Sequence, residues 1–170
     1  IATAVTKELI GLGVPRSAIR HDRADRKIPL PTETGNLIVR LPGTIAGPPR
    51  MFMTHLDTVP LCAGARPVRK GNRIVAAGPT ALGGDNRTGV AALVTLAATL
   101  KARKLPHPPI TLLFTVREES GLWGARFVEP RDLGNPGEAF TVDGGGAADL
   151  IHGAVGADRW EAHIEGRASH

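Results

Sequence analysis

An apolar run, Ile110 to Val116, ends in two adjacent carboxylates, Glu118 and Glu119. This constrains the chain more than any other stretch. Seven residues without a formal charge read as a buried strand. Carboxylates at the mouth of such a strand cost free energy unless something there needs negative charge. Ser120-Gly121-Leu122-Trp123-Gly124 follows and reads as a glycine-punctuated turn.

The same arrangement recurs. Ile1, Val5, Leu9 and Leu12 fall at helical spacing, with Gly11 and Gly13 as stops. Residues 20–35 are polar, hold Pro29 and Pro31, and read as a loop. Asn36 to Leu41 reads as a strand, and Met51 to Thr54 as another that ends at His55-Leu56-Asp57. Residues 60–84 read as short strand-like pieces and loops, closing on Gly83-Gly84-Asp85. Thr88 to Leu100 is apolar almost all round, which predicts a buried helix. Leu122 to Phe127 predicts a short helix, and Ala139 to Val142 a short strand ending at Asp143 before three glycines.

Strands alternating with helices predict an α/β layered fold. In such sheets, ligands gather beyond the carboxyl ends of the strands. His55, Glu118, Glu119 and Asp143 each follow an apolar strand there. Asp158 to Ile164 alternates Trp160, Ala162 and Ile164 with polar residues and predicts a half-exposed strand. Its character differs from the buried strands, so a second domain is expected to begin near residue 154. The first residue is Ile1 and His170 stands in mid-pattern, so the chain reads as a fragment of something longer.

Composition narrows the partners. The net charge is +5, but the cations are scattered, aromatic residues make up only 4% and no nucleic-acid motif is present. The longest apolar stretch, Val90 to Leu100, is too short to span a membrane. The single cysteine, Cys62, excludes an internal disulfide and a cysteine-rich zinc site, and fits a reducing compartment.

The chemistry-bearing residues allow two readings each. Residues two apart on extended backbone share a face, so His55 and Asp57 both bind metal, or the histidine binds and the aspartate orients its ring. Asp85, after two glycines and before a helix, is an N-cap or a carboxylate bridging two cations. Asp143 is a turn former or a ligand. Neighbouring Glu118 and Glu119 cannot point the same way on a strand. They form either an exposed acidic corner or a pair with divided labour, one binding metal and one taking a proton from water polarised by it. One histidine with several carboxylates suits zinc, with cobalt or manganese as substitutes. Together they point to a metal-dependent hydrolase.

Five stretches, in order, resemble the dizinc exopeptidase family that holds peptidase T, glutamate carboxypeptidase and succinyl-diaminopimelate desuccinylase. They are MFMTHLDTVP (51–60), GGDNRTGVAAL (83–93), FTVREESGLWGAR (114–126), FTVDGGG (140–146) and EGRASH (165–170). The FTVDGGG string looks most like peptidase T, a tripeptide aminopeptidase. The resemblance implies a layered helix-sheet-helix catalytic domain over residues 1–153 and the first strand of an α+β lid and dimerisation domain over 154–170. It implies two zinc ions. His55 and Asp143 would bind the first, Asp85 would bridge, Glu119 would bind the second, Asp57 would fix the His55 ring and Glu118 would be the general base. His170 would be offered by the lid to the substrate carbonyl. It also implies a cis bond between Asp85 and Asn86, a short peptide substrate, a homodimer and a cytoplasmic enzyme. The family usually has Asp where Asn86 stands and Lys where Arg87 stands. Its histidine on the second zinc comes beyond residue 170, and His152 and His163 sit in no matching motif. An N-acyl-amino-acid deacylase or carboxypeptidase is the nearest alternative, and a non-catalytic binding module a more distant one.

Overall fold

Every residue of the strand Ile110–Thr115 is buried, because the strand has a neighbour on each side and packing on each face. The computed structural model describes residues 1–146, 148–158 and 160–167. Helix α1 (Ala2–Gly11) opens the chain, followed by β1 (Ile19–His21), β2 (Leu37–Leu41) and β3 (Arg50–His55). A hairpin of β4 (Pro67–Lys70) and β5 (Arg73–Ala76) leads to the long helix α2 (Gly84–Ala102). Then come β6 (Ile110–Thr115), the short helix α3 (Trp123–Phe127) and β7 (Glu138–Thr141).

The main sheet has the order β1-β2-β6-β3-β7. Strands β3, β6 and β7 are mutually parallel, and β2 and β1 run antiparallel on the other side. The register sets His55 opposite Thr115 and Met53 opposite Thr141. The carboxyl ends of three parallel strands therefore share one edge. This is the mixed α/β architecture that the alternation of elements predicts.

Period-two alternation divides the core between the two faces. Leu112 and Phe114 of β6, with Leu37 and Val39 of β2, join Val5 and Leu9 of α1 and Val90, Leu93 and Ala97 of α2. Leu113, Ile38 and Met51 point the other way, into a smaller cluster with Met53, Val128 and Leu133.

Three sequence expectations are corrected. Helix α2 is buried along one stripe and not all round, while Ala91, Ala92 and Thr95 face solvent. Alanine exposes little apolar surface and favours helix, so an outer face of Ala and Thr tolerates water. Strand β1 runs into the expected loop of residues 20–35, pairing Arg20 with Ile38 and His21 with Leu37. With only three residues, one of them buried, it carries no periodic signal. The strand expected over 158–164 does not form among the described residues, and Trp160 and Ile164 are each 91% exposed. Alternation alone does not make a strand; a partner must complete the backbone hydrogen bonds, and no described strand pairs with this segment. Arg159 and His170 lie outside the described residues. No described helix is long and apolar enough to cross a membrane.

Between β2 and the Glu118 loop sits a fully buried side chain, Asn36. Its Nδ2 donates to Asp22 Oδ2 (2.7 Å) and to the Gly124 carbonyl (2.9 Å), and its Oδ1 accepts from Val116 N–H (3.1 Å). The approach is close enough that a Cβ on Gly124 would meet Asn36 Oδ1 and the Val116 backbone. Truncating Asn36 strands a buried N–H and a buried carbonyl. Asn36→Ala is expected to lower unfolding free energy by about 2–4 kcal/mol. Urea denaturation checks this, with the exposed Thr95→Ser as a near-neutral control.

Candidate metal centre

His55 ends β3 and is 2% exposed. Its Nδ1 lies 3.1 Å from the backbone carbonyl of Asp57. A carbonyl can only accept, so this bond requires the proton on Nδ1. Nε2 then faces Asp85 Oδ1 at 3.0 Å, Asp143 Oδ2 at 3.6 Å and Glu118 Oε2 at 3.8 Å. Several acceptors so close to one another repel unless a proton or a cation stands between them.

Each carboxylate arrives by a separate route. Asp85 lies in non-helical backbone (φ −83°, ψ 109°) at the start of α2, and the Asp85–Asn86 peptide is cis, as the resemblance implies. Asp143 follows β7 by two residues, and Val142 N–H continues the ladder to the Met53 carbonyl (2.9 Å). Glu118 and Glu119 follow β6 through a sharp turn in which Arg117 takes φ 56° and the Glu118 carbonyl accepts from Gly121 and Leu122.

Asp57 acts differently from the sequence reading. Its carboxylate is 3.6 Å from His55 Nδ1, and the shorter contact to the ring is its backbone carbonyl. Its two oxygens accept instead from the backbone N–H groups of Glu118 (3.1 Å) and Glu119 (3.2 Å). One aspartate thus sets the ring through its main chain and holds the glutamate turn through its side chain.

The donor set fits a divalent cation. Candidate ligand atoms of His55, Asp85 and Glu119 all lie within 4.8 Å of one another. Two ligands about 2.1 Å from a tetrahedral zinc stand about 3.4 Å apart. The Asp85 and Asp143 oxygens, 3.0 and 3.6 Å from Nε2, bracket that spacing. Beside them opens a cavity of ≈ 490 Å³ lined by Asp85, Thr88, Asp143, Gly144 and Gly145. The Glu118 carboxyl is pushed above its usual range, chiefly by burial. The His55 ring opposes that shift, and Glu119, Asp143 and Asp57 add to it.

The edge therefore gathers His55, Asp57, Asp85, Glu118, Glu119 and Asp143. His170 lies outside the described residues. His152 and His163 are exposed, and His163 contacts only Glu161 among the described acids. Sequence reasoning missed Asn36, Asp22 and the buried Asn86. Each stands beside glycine or before a strand or helix, where Asn and Asp ordinarily read as turn and cap residues.

The chain is similar to known peptidases over most of its length. Peptidase T of Serratia proteamaculans is 30% identical over 184 aligned positions, covering 88% of this chain and 42% of that protein. The crystal structure of aminopeptidase PepT from Bacillus cereus superposes with a TM-score of 0.76 at 32% identity, covering 85% of this chain and 37% of that one. A tripeptidase from Staphylococcus aureus superposes at 0.74 with 28% identity, covering 85% and 37%. The chain spans about two fifths of the length of these relatives. The profile of Peptidase family M28 matches residues 36–142, which include every candidate ligand except Asp143. On that match, the chain belongs to Peptidase family M28.

Proposed function

We propose that the whole protein is a zinc-dependent aminopeptidase that removes the N-terminal residue from short peptides, tripeptides in particular. One observation carries this reading: a buried imidazole, turned by its Nδ1 bond, aims Nε2 at carboxylates from three separate segments. The relatives named Peptidase T, PepT and tripeptidase support the peptide substrate.

On this reading His55, Asp85, Glu119 and Asp143 would hold a pair of divalent cations. When bound, such cations would supply Lewis acidity, lowering the pKa of water and polarising a carbonyl. Glu118 stands within 3.8 Å of His55 Nε2 and is not needed as a ligand. It takes the proton from the attacking water and returns it to the leaving amine. A carboxyl held above its ordinary range suits both halves of that task, because it binds the proton more readily between steps. Asp57 keeps Glu118 and Glu119 apart in function by fixing both backbone N–H groups, so one side chain binds while the other moves a proton. By the same resemblance, a lid domain begins near residue 154, pairs two subunits and brings His170 to the substrate carbonyl, in a cytoplasmic enzyme.

Glu118→Ala in the whole protein is expected to keep its bound metal and lose about a hundred- to ten-thousand-fold in kcat. Elemental analysis beside tripeptide turnover checks this; loss of metal together with turnover would make Glu118 a ligand instead. Hydrolysis of N-acyl amino acids in preference to tripeptides would replace the aminopeptidase with a deacylase.

The raised Glu118 pKa has a consequence for stability. A carboxyl whose folded pKa lies above its unfolded value loses stability for the fold as pH rises through that interval. Metal-free Glu118→Gln is therefore expected to melt above metal-free wild type at neutral pH. The difference should shrink toward zero below about pH 4, where the unfolded carboxyl is also protonated. Thermal melts across pH read this directly, and equal melting at neutral pH would contradict it.

A further inference from the structure

Asn86 is 4% exposed, and neither the ligand set nor the proton transfer uses it. Its side chain is engaged on both sides. Nδ2 donates to the Val142 carbonyl at 2.6 Å, and Oδ1 accepts from Gly89 N–H at 2.9 Å. Val142 directly precedes Asp143, and Asp85 directly precedes Asn86. One amide therefore joins the two segments that carry the carboxylates nearest His55 Nε2. Gly89 is its counterpart: a Cβ there would meet Asn86 Oδ1, Thr54 Oγ1 and the Val142 carbonyl. Only glycine lets the helix start, β3 and the end of β7 close to this distance.

The two segments need such a link. Asp85 and Asp143 carry like charge and come from different elements. Strand β7 is four residues long, exposed throughout and at the edge of the sheet. Residues 85 and 86 are non-helical, so regular helix does not hold Asp85 either. The Asn86 tie spans this gap, and it needs a group that donates on one side and accepts on the other. A neutral amide does both, whereas an ionised carboxylate has no proton to give the Val142 carbonyl.

We infer that Asn86 is a positioning residue that sets the spacing of Asp85 and Asp143, and so the affinity of the centre for its first cation. The inference rests on reading the cluster as a metal centre. Groups outside the ligand set that orient ligands typically change metal affinity by about 10- to 100-fold when replaced.

The test uses the whole protein stripped of metal and titrated with Zn²⁺ against a chelator of known affinity. Asn86→Ser separates the two bonds. Serine still caps the helix at Gly89, but it is too short to reach the Val142 carbonyl. Its first-metal affinity is expected to fall about 10- to 100-fold, with the metal-free melting temperature close to wild type. Asp143→Asn alone weakens binding, and adding Asn86→Ser to it should weaken binding little further, because the tie acts through Asp143. Affinity within about two-fold of wild type, or losses that add in full, would overturn the inference. Should Asn86→Ser melt well below wild type, Asn86→Asp, which also keeps the cap, replaces it. Unfolding of that variant too would make Asn86 a folding residue and overturn the inference. A wild-type protein that binds no Zn²⁺ is a different failure, that of the metal centre itself.

Discussion

Crowded negative charge around a single imidazole nitrogen is the constraint on which the rest of this structure turns. The backbone carbonyl of Asp57 accepts a hydrogen bond from Nδ1 of His55, which turns Nε2 toward the carboxylates. Asp85, Asp143 and Glu118 all stand within 3.8 Å of it. His55 is almost wholly shielded from water, whereas the Asp85 carboxylate is mostly exposed and those of Glu118 and Asp143 are partly so. A divalent cation turns each of these repulsions into an attraction. The cluster is thus intelligible as a place prepared for positive charge, and hard to account for as a structural feature.

The fold delivers these groups by register and then fixes them with polar side chains. Parallel β3, β6 and β7 end at one edge, and that alone brings His55, the glutamate turn and Asp143 to the same side. Fine placement falls to three polar side chains. Asn36 anchors both ends of the Glu118 turn, through Val116 and Gly124. Asp57 holds the middle of that turn by two backbone N–H groups. Asn86 joins the segments of Asp85 and Asp143. Gly124 and Gly89 mark where those ties bring backbones together. Both asparagines are uncharged, which matters where further negative charge would add to the repulsion.

Much of this was legible in the chain. Ile110 to Thr115 reads as a buried strand because both of its faces need apolar side chains, and His55, Glu118 and Asp143 stand out as costly groups at strand ends. What the chain concealed was of two kinds. Short edge elements such as β1 carry too few residues to show a period, and the alternation of 158–164 resembles a strand without supplying a partner. The supporting polar residues were hidden for another reason. Asn36 and Asn86 follow glycine or a metal-type aspartate, as turn residues do, and their value lies in contacts 50 or more residues away, such as Asn36 to Gly124 and Asn86 to Val142. Asp57 was singled out for the right neighbourhood, but the division of work between its carbonyl and its carboxylate depends on the turn of Glu118 and Glu119 in space.

Anomalous diffraction at the zinc absorption edge, from crystals of the whole protein grown with Zn²⁺, addresses the central claim most directly. The account predicts a strong peak about 2.0–2.2 Å from His55 Nε2 and from carboxylate oxygens of Asp85 and Asp143. A second peak should lie on the far side of Asp85, next to Glu119. Zinc bound only elsewhere, with the His55 edge empty at saturating metal, would contradict it.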